Sequence, residues 1–205
     1  METKKFEFSA EHKGKIEKII QKYPAGRQAS AVLPLLDLAQ RQADGWLPAE
    51  AIEAVAKILN MPPMRVYEVA SFYSMFNLKP IGKFHIQVCR TTPCWLRGSD
   101  ELTNSCQKKL GISKGQTSKD GNFTLNEVEC LGACANAPVV QINDDLYEDL
   151  TAESLMKVMD QLVAGQKPKI GSQIGRQGSA PLGMDDSKTA LPNPLFNLKP
   201  GHQNS

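Results

Sequence analysis

The sequence predicts an α+β protein: a helical N-terminal domain over residues 1–80, a small layered α/β domain over 81–164, and an irregular tail over 165–205. Three observations predict it. Residues 10–80 repeat apolar side chains at helical spacing between prolines, and from Lys83 the period shortens to two. From 165 onward, 11 of 41 positions are Gly or Pro, a composition that buries too little surface to fold alone.

Ser9 caps a first helix with Ile16, Ile19, Ile20 and Tyr23 on one stripe, broken by Pro24-Ala25-Gly26. A second helix carries Val32, Leu35, Leu36 and Ala39 and ends by Gly45, with Pro34 tolerable only in its first turn. Pro48 suits the start of a third, whose Ile52, Val55, Ala56 and Leu59 stop at Asn60-Met61-Pro62-Pro63. A short fourth helix runs from Pro63 to about Phe72. Stripes of this period ordinarily mean a packed bundle.

Phe84, Ile86 and Val88 alternate with His85 and Gln87, a half-buried strand with His85 outward that runs into Cys89. A helix from about Ser99 to Leu110 keeps Leu102, Cys106 and Leu110 on one face, which makes Cys106 a core residue. The turn Lys119-Asp120-Gly121-Asn122 leads into an alternating strand, 123–129, that ends at Cys130. Residues 137–142 and 146–148 supply two more strands. Thr151 caps a last helix with Leu155, Val158, Met159 and Leu162, closed by Gly165. The cluster Leu191, Pro192, Pro194, Leu195, Phe196, Leu198 in the tail suits either solvent or a partner surface.

Composition excludes several function classes. With 24 Lys+Arg against 22 Asp+Glu, the net charge of +2 gives no footprint for nucleic acid. No apolar run is long enough to insert directly into a membrane. Residues 1–9 lack the core of a secretory signal; Glu2, Glu7 and Glu11, and the absence of Arg before Arg27, argue against an intact mitochondrial presequence.

Five cysteines in a chain without an export signal do not suggest a disulfide framework. Four form the pattern Cys89-x4-Cys94, 35 residues, Cys130-x3-Cys134. Each pair starts where a predicted strand ends, so two loops at one end of a sheet gather four thiolates. Such a set binds a structural zinc ion or an iron-sulfur cluster. The x4 gap is roomier than a zinc ribbon needs and favours the cluster, while zinc stays open. None of His12, His85 and His202 lies in a cysteine loop, against a Rieske site. Without a C-x-x-C, thiol-disulfide catalysis has no motif.

The stretches Cys89-Arg90-Thr91-Thr92-Pro93-Cys94-Trp95-Leu96-Arg97-Gly98-Ser99 and Val128-Glu129-Cys130-Leu131-Gly132-Ala133-Cys134-Ala135-Asn136-Ala137-Pro138 resemble a known family. It is that of the thioredoxin-like 2Fe-2S subunits of respiratory NADH:quinone oxidoreductase (complex I), the E subunit in bacteria and flavoprotein 2 in mitochondria. Glu68-Val69-Ala70-Ser71-Phe72-Tyr73-Ser74-Met75-Phe76 is similar to the segment joining that family's helical and cluster-bearing parts. The resemblance covers about residues 10–164.

The resemblance implies a thioredoxin-like second domain with a small mixed sheet and one 2Fe-2S cluster, Cys89 and Cys94 on one iron, Cys130 and Cys134 on the other. It implies single-electron exchange with the FMN of an NADH-binding partner subunit. The other expected partner is the large iron-sulfur subunit of complex I. This chain has no Gly-rich nucleotide fingerprint, so FMN and NADH are assigned to the partner, and no catalytic residue is expected here. The expected location is a bacterial cytoplasm, peripheral on the inner face of the membrane, or the matrix side if the chain is a processed organellar one. The rival readings are the equivalent diaphorase subunit of an NAD-linked hydrogenase or formate dehydrogenase and, from another class, a zinc-stabilised interaction module.

Nearby positive charge raises a cluster's potential and carboxylates lower it. Arg90 and Arg97 are candidates for the first effect, Glu127 and Glu129 for the second, unless all four are solvated. Gly98 and Gly132 either give backbone room beside sulfur or are plain turn glycines. Trp95 either shields the cluster or packs on a partner.

Overall fold

The structure is a computed structural model and describes residues 5–179. It divides into two compact units, one ending at Ile81 and the other starting at Gly82.

The first unit is helical. Helix α1 (Ala10–Ile20) is capped by Ser9, whose side chain accepts the His12 N–H at 3.2 Å. A 3₁₀ turn (Gln28–Ala31) leads into α2 (Val32–Gln42), with Pro34 inside the first turn as the missing N–H requires. In α3 (Ala49–Leu59) Pro48 is the N-cap, and Asn60 ends the helix at φ 51°, a left-handed cap that asparagine tolerates. Helix α4 (Pro63–Phe72) starts on Pro63. Leu35, Leu36, Ala39, Ile52, Val55, Ala56 and Leu59 are buried on the expected stripes, and Val66 and Ala70 of α4 are buried as well. His12 is buried too, its Nδ1 2.8 Å from Gln42 Oε1.

The second unit packs helices on a six-stranded mixed sheet of order β2-β3-β1-β4-β5-β6. Its elements are β1 (Phe84–Cys89), α5 (Thr92–Leu96), α6 (Ser99–Leu110), β2 (Gln116–Thr117), β3 (Phe123–Val128), β4 (Val140–Ile142), β5 (Asp145–Glu148), α7 (Ala152–Val163) and β6 (Gly171–Ser172). Strands β1 and β3 run parallel, Phe84 opposite Phe123 through Cys89 opposite Val128. Strand β4 pairs antiparallel with β1, and β6 parallel with β5. Ile86, Val88, Leu125, Val140 and Ile142 pack with Leu102 and Cys106 of α6 and Leu155, Val158 and Met159 of α7. The capping box at Thr151 and Ser154 starts α7.

The structure corrects one expectation and extends another. His85 does not face solvent: it is 6% exposed, and its Nε2 accepts from Asn126 Nδ2 at 2.8 Å. Alternation sets His85 on the face opposite Ile86 but says nothing of what covers that face, and there Asn126 of the neighbouring strand β3 lies against its ring. The segment after 165, expected as irregular, returns to the sheet as β6. The apolar cluster at 191–198 and His202 lie outside the described residues.

Candidate metal centre

Because β1 and β3 are parallel, their C-terminal ends lie side by side, and both cysteine pairs follow from those ends. Cys89 is the last residue of β1, and Cys94 sits in α5, the short helix that opens at Thr92-Pro93. Cys130 comes two residues after β3, and Cys134 starts a 3₁₀ turn, Cys134–Asn136. The sheet thus brings together all four expected ligands, Cys89, Cys94, Cys130 and Cys134. Cys106 stays apart in the core at 0% exposure, 3.9 Å from the Met159 sulfur.

The two pairs differ in their surroundings. Cys89 and Cys94 are buried among Ala133, Ala137 and Val139, with Leu131 and Leu146 against them. Cys130 and Cys134 are exposed, their sulfurs 3.4 Å apart. Gly132 donates its N–H to Cys130 Sγ at 3.4 Å, and Thr91 Oγ1 lies 3.3 Å from Cys89 Sγ.

Within each pair one thiol is pushed up and the other down. Burial raises Cys94 to about 12, and the neighbouring Cys89 adds to the rise. Burial also pushes Cys89 up, but hydrogen bonds from Thr91 and the Leu131 backbone outweigh it, and the net shift is downward. Outside, the Gly132 N–H holds Cys130 down, while the hydrogen bond to Cys130 pushes Cys134 up. In each pair the thiol pushed down is the one brought nearer the thiolate form, which is the form that binds metal.

Among the described residues, no three Cys, His, Asp or Glu side chains close on a single ion. The four thiols stand as two adjacent pairs, an all-sulfur donor set that fits a [2Fe-2S] cluster, which takes two thiolates on each iron.

The other expected residues fall as follows. Arg97 lines a cleft with Pro93, Leu96, Cys134, Asp149, Ile174 and Arg176. Arg90 is exposed; its backbone N–H closes on the Val128 carbonyl at 3.0 Å. Glu127 pairs with Lys114 at 2.8 Å and Glu129 is exposed. Trp95 is 56% exposed and donates to Asp100 at 3.0 Å. Gly98 and Gly132 adopt φ 91° and 82° with no atom closer than 4.0 Å to where a Cβ would stand. Left-handed backbone, not room beside sulfur, is what requires glycine there.

Sequence reasoning missed Thr91, Asn136, Glu148, Asp149 and Arg176. Thr91 was within reach, as a hydroxyl two residues from a cysteine. The other four meet only through the fold.

Comparison with known proteins agrees with this geometry. The family model of the thioredoxin-like [2Fe-2S] ferredoxins matches residues 16–163. The chain is 63% identical over 156 residues to the E subunit of NADH-quinone oxidoreductase from Rickettsia felis, an alignment covering 76% of this chain and 93% of that one. It is 52% identical over 174 residues to the mitochondrial NADH dehydrogenase [ubiquinone] flavoprotein 2 of Dictyostelium discoideum, covering 85% and 70%. Among solved structures, an NAD+-reducing [NiFe]-hydrogenase matches with TM-score 0.57 and 26% identity over 66% of this chain, which spans 23% of that chain. With the family model covering most of its length and both cysteine pairs inside the match, the chain belongs to the thioredoxin-like [2Fe-2S] ferredoxin family.

Proposed function

We propose that Cys89, Cys94, Cys130 and Cys134 ligate one [2Fe-2S] cluster, the first two on one iron and the last two on the other. The observation that carries this is the gathering of two thiol pairs at the C-terminal ends of parallel strands. The chain is an electron-transfer subunit of an NADH dehydrogenase complex, in keeping with its relatives. When bound, such a cluster takes up and returns one electron at a time.

The chain's own residues prepare the site. Ala137, Val139 and the buried inner pair keep water from one side, and the exposed outer pair leaves the other open for exchange. Thr91 and the Gly132 N–H donate toward sulfur, which stabilises negative charge there.

The finer assignment is that FMN and NADH sit on a partner subunit and this chain itself has no catalytic residue. Exposed Met64, Tyr67, Phe72 and Met75, on and just after α4, support a protein partner, since exposed apolar groups of this size mark interaction surfaces. The large iron-sulfur subunit is the second proposed neighbour. A peripheral place on the cytoplasmic or matrix side of the membrane follows from membership of such a complex. Among the described residues no helix is long and apolar enough to cross a membrane.

A diaphorase role in an NAD-linked hydrogenase is supported by the hydrogenase fold match. The identity there is 26%, against 63% to the quinone-reductase subunit, and the latter assignment is favoured. Affinity purification of the full chain from its native cells tests it. FMN should co-purify with the chain, and the isolated chain should not oxidise NADH. NADH oxidation by the chain alone, or a nickel-containing partner, would overturn the assignment.

A further inference from the structure

The described residues past α7 form a strap over the turn that carries Cys134. After β6, Arg176 donates through Nη2 to the Ala135 carbonyl at 3.0 Å and to Asp149 Oδ1 at 2.5 Å, and through Nε to Asp149 Oδ2 at 3.2 Å. Ser172 donates to the same Oδ2 at 2.6 Å. Alongside, Asn136 Nδ2 donates to the Gln177 carbonyl at 2.8 Å and to Glu148 Oε2 at 2.6 Å. The Ser179 N–H and hydroxyl reach the Glu148 carboxylate from the strap. Asn136, Glu148 and Asp149 are buried, and buried carboxylates are kept only where such partners satisfy them.

Apart from the strap, the turn is anchored at its two ends by Ala133 and Ala137, buried against Cys89 and Cys94. Its own backbone bonds are Asn136 N–H to Ala133 O at 3.0 Å and Ala137 N–H to Cys134 O at 3.4 Å. Cys130 and Cys134 are exposed, so burial does not anchor them as it anchors Cys89 and Cys94. Asp149 takes φ 55°, a left-handed conformation uncommon for a residue with a Cβ, and its N–H closes on the Asn136 carbonyl at 2.7 Å.

We propose that Arg176, held by Asp149, is a positioning residue for Cys134, and that the strap over residues 171–179 keeps the outer thiol pair in register with the inner pair. Arg176 acts by geometry, because its charge is balanced by the carboxylate it grips. The proposal rests on the reading that the four cysteines hold a cluster.

The test compares the full-length wild type with Arg176→Ala, Arg176→Lys and Gln173→Ala. Gln173 lies in the strap, and among the described residues its side chain donates to the Lys169 and Gly171 carbonyls. Loss of visible absorption to an iron chelator should be about tenfold faster in Arg176→Ala, the scale of one charge-assisted hydrogen bond, and its reduced-state EPR lines should broaden. Arg176→Lys should recover part of the resistance, and Gln173→Ala should match the wild type. Hydrogen exchange at residues 133–137 of the metal-free chains should rise in Arg176→Ala alone. Unchanged chelation and exchange in Arg176→Ala would overturn the positioning role, as would an equal effect of Gln173→Ala. A wild type that takes up no iron would instead overturn the cluster reading, and exchange at 133–137 would still decide the role of Arg176.

Discussion

Four cysteines that read alike in the sequence make two unlike pairs. Cys89 and Cys94 are each 1% exposed and set by the end of β1 and the first turn of α5, while Cys130 and Cys134 are exposed, one in the loop after β3 and the other at the start of a single 3₁₀ turn. The difference teaches how the work divides. Burial anchors the inner pair and makes its charge costly, so it defines the site; the outer pair is left accessible, and its position comes from hydrogen bonds.

The largest effect that can break this comparison is loss of an inner ligand. Cys94→Ser should leave less than about a tenth of the wild-type iron, because it removes a ligand and puts a hydroxyl among apolar neighbours. Cys134→Ser should keep more iron with shifted EPR g-values, since its replacement is solvated. Equal iron contents in the two variants would erase the distinction.

Thiol reactivity sharpens it in the metal-free chain. Cys130, exposed and with its thiolate favoured by the Gly132 N–H, should be alkylated first at pH 7. Cys94 and Cys106, both pushed by burial to about 12, should be last, on the order of a hundredfold slower. Mass spectrometry of alkylated peptides over time gives the order.

A smaller effect belongs to Arg97, which faces the cleft beside Cys134. Arg97→Gln should lower the midpoint potential by some tens of mV, with about 59 mV corresponding to 1.4 kcal/mol for one electron. A redox titration with an unchanged midpoint would assign Arg97 to solvent or to a partner.

The smallest lies at the other end of β1. Burial lowers the His85 pKa below its usual value, and its Nε2 accepts a hydrogen bond that only an unprotonated nitrogen can take. Below about pH 6.5 the unfolded chain binds a proton that the folded chain refuses, so stability is full above that pH and falls as pH drops toward the folded-state pKa. The slope from this group is at most about 1.4 kcal/mol per pH unit. Urea titrations between pH 7 and 5 should show a flatter dependence in His85→Gln, with iron content at pH 7 unchanged.

What the sequence made legible follows from how local each signal is. Stripes such as Ile52, Val55, Ala56 and Leu59, and the alternation of Phe84, Ile86 and Val88, repeat within one element, and these elements form where expected. The cysteine spacing was legible because both pairs abut strand ends. Helix α5 was missed because five residues with a proline show no period, and β6 because Gly171-Ser172 has no apolar alternation to read. The burial of His85 was not legible because the side chain that meets its ring, Asn126, lies 41 positions away. The grip of Arg176 on Asp149 and Ala135 joins residues 27 and 41 positions apart, with no motif to announce it.

The most direct test of the cluster is the visible and EPR spectrum of the purified full chain, oxidised and dithionite-reduced, with iron, zinc and sulfide assayed on the same sample. We expect a reddish-brown protein with about two irons and two sulfides per chain and a rhombic signal on reduction. A colourless protein holding one zinc ion and no sulfide would contradict it.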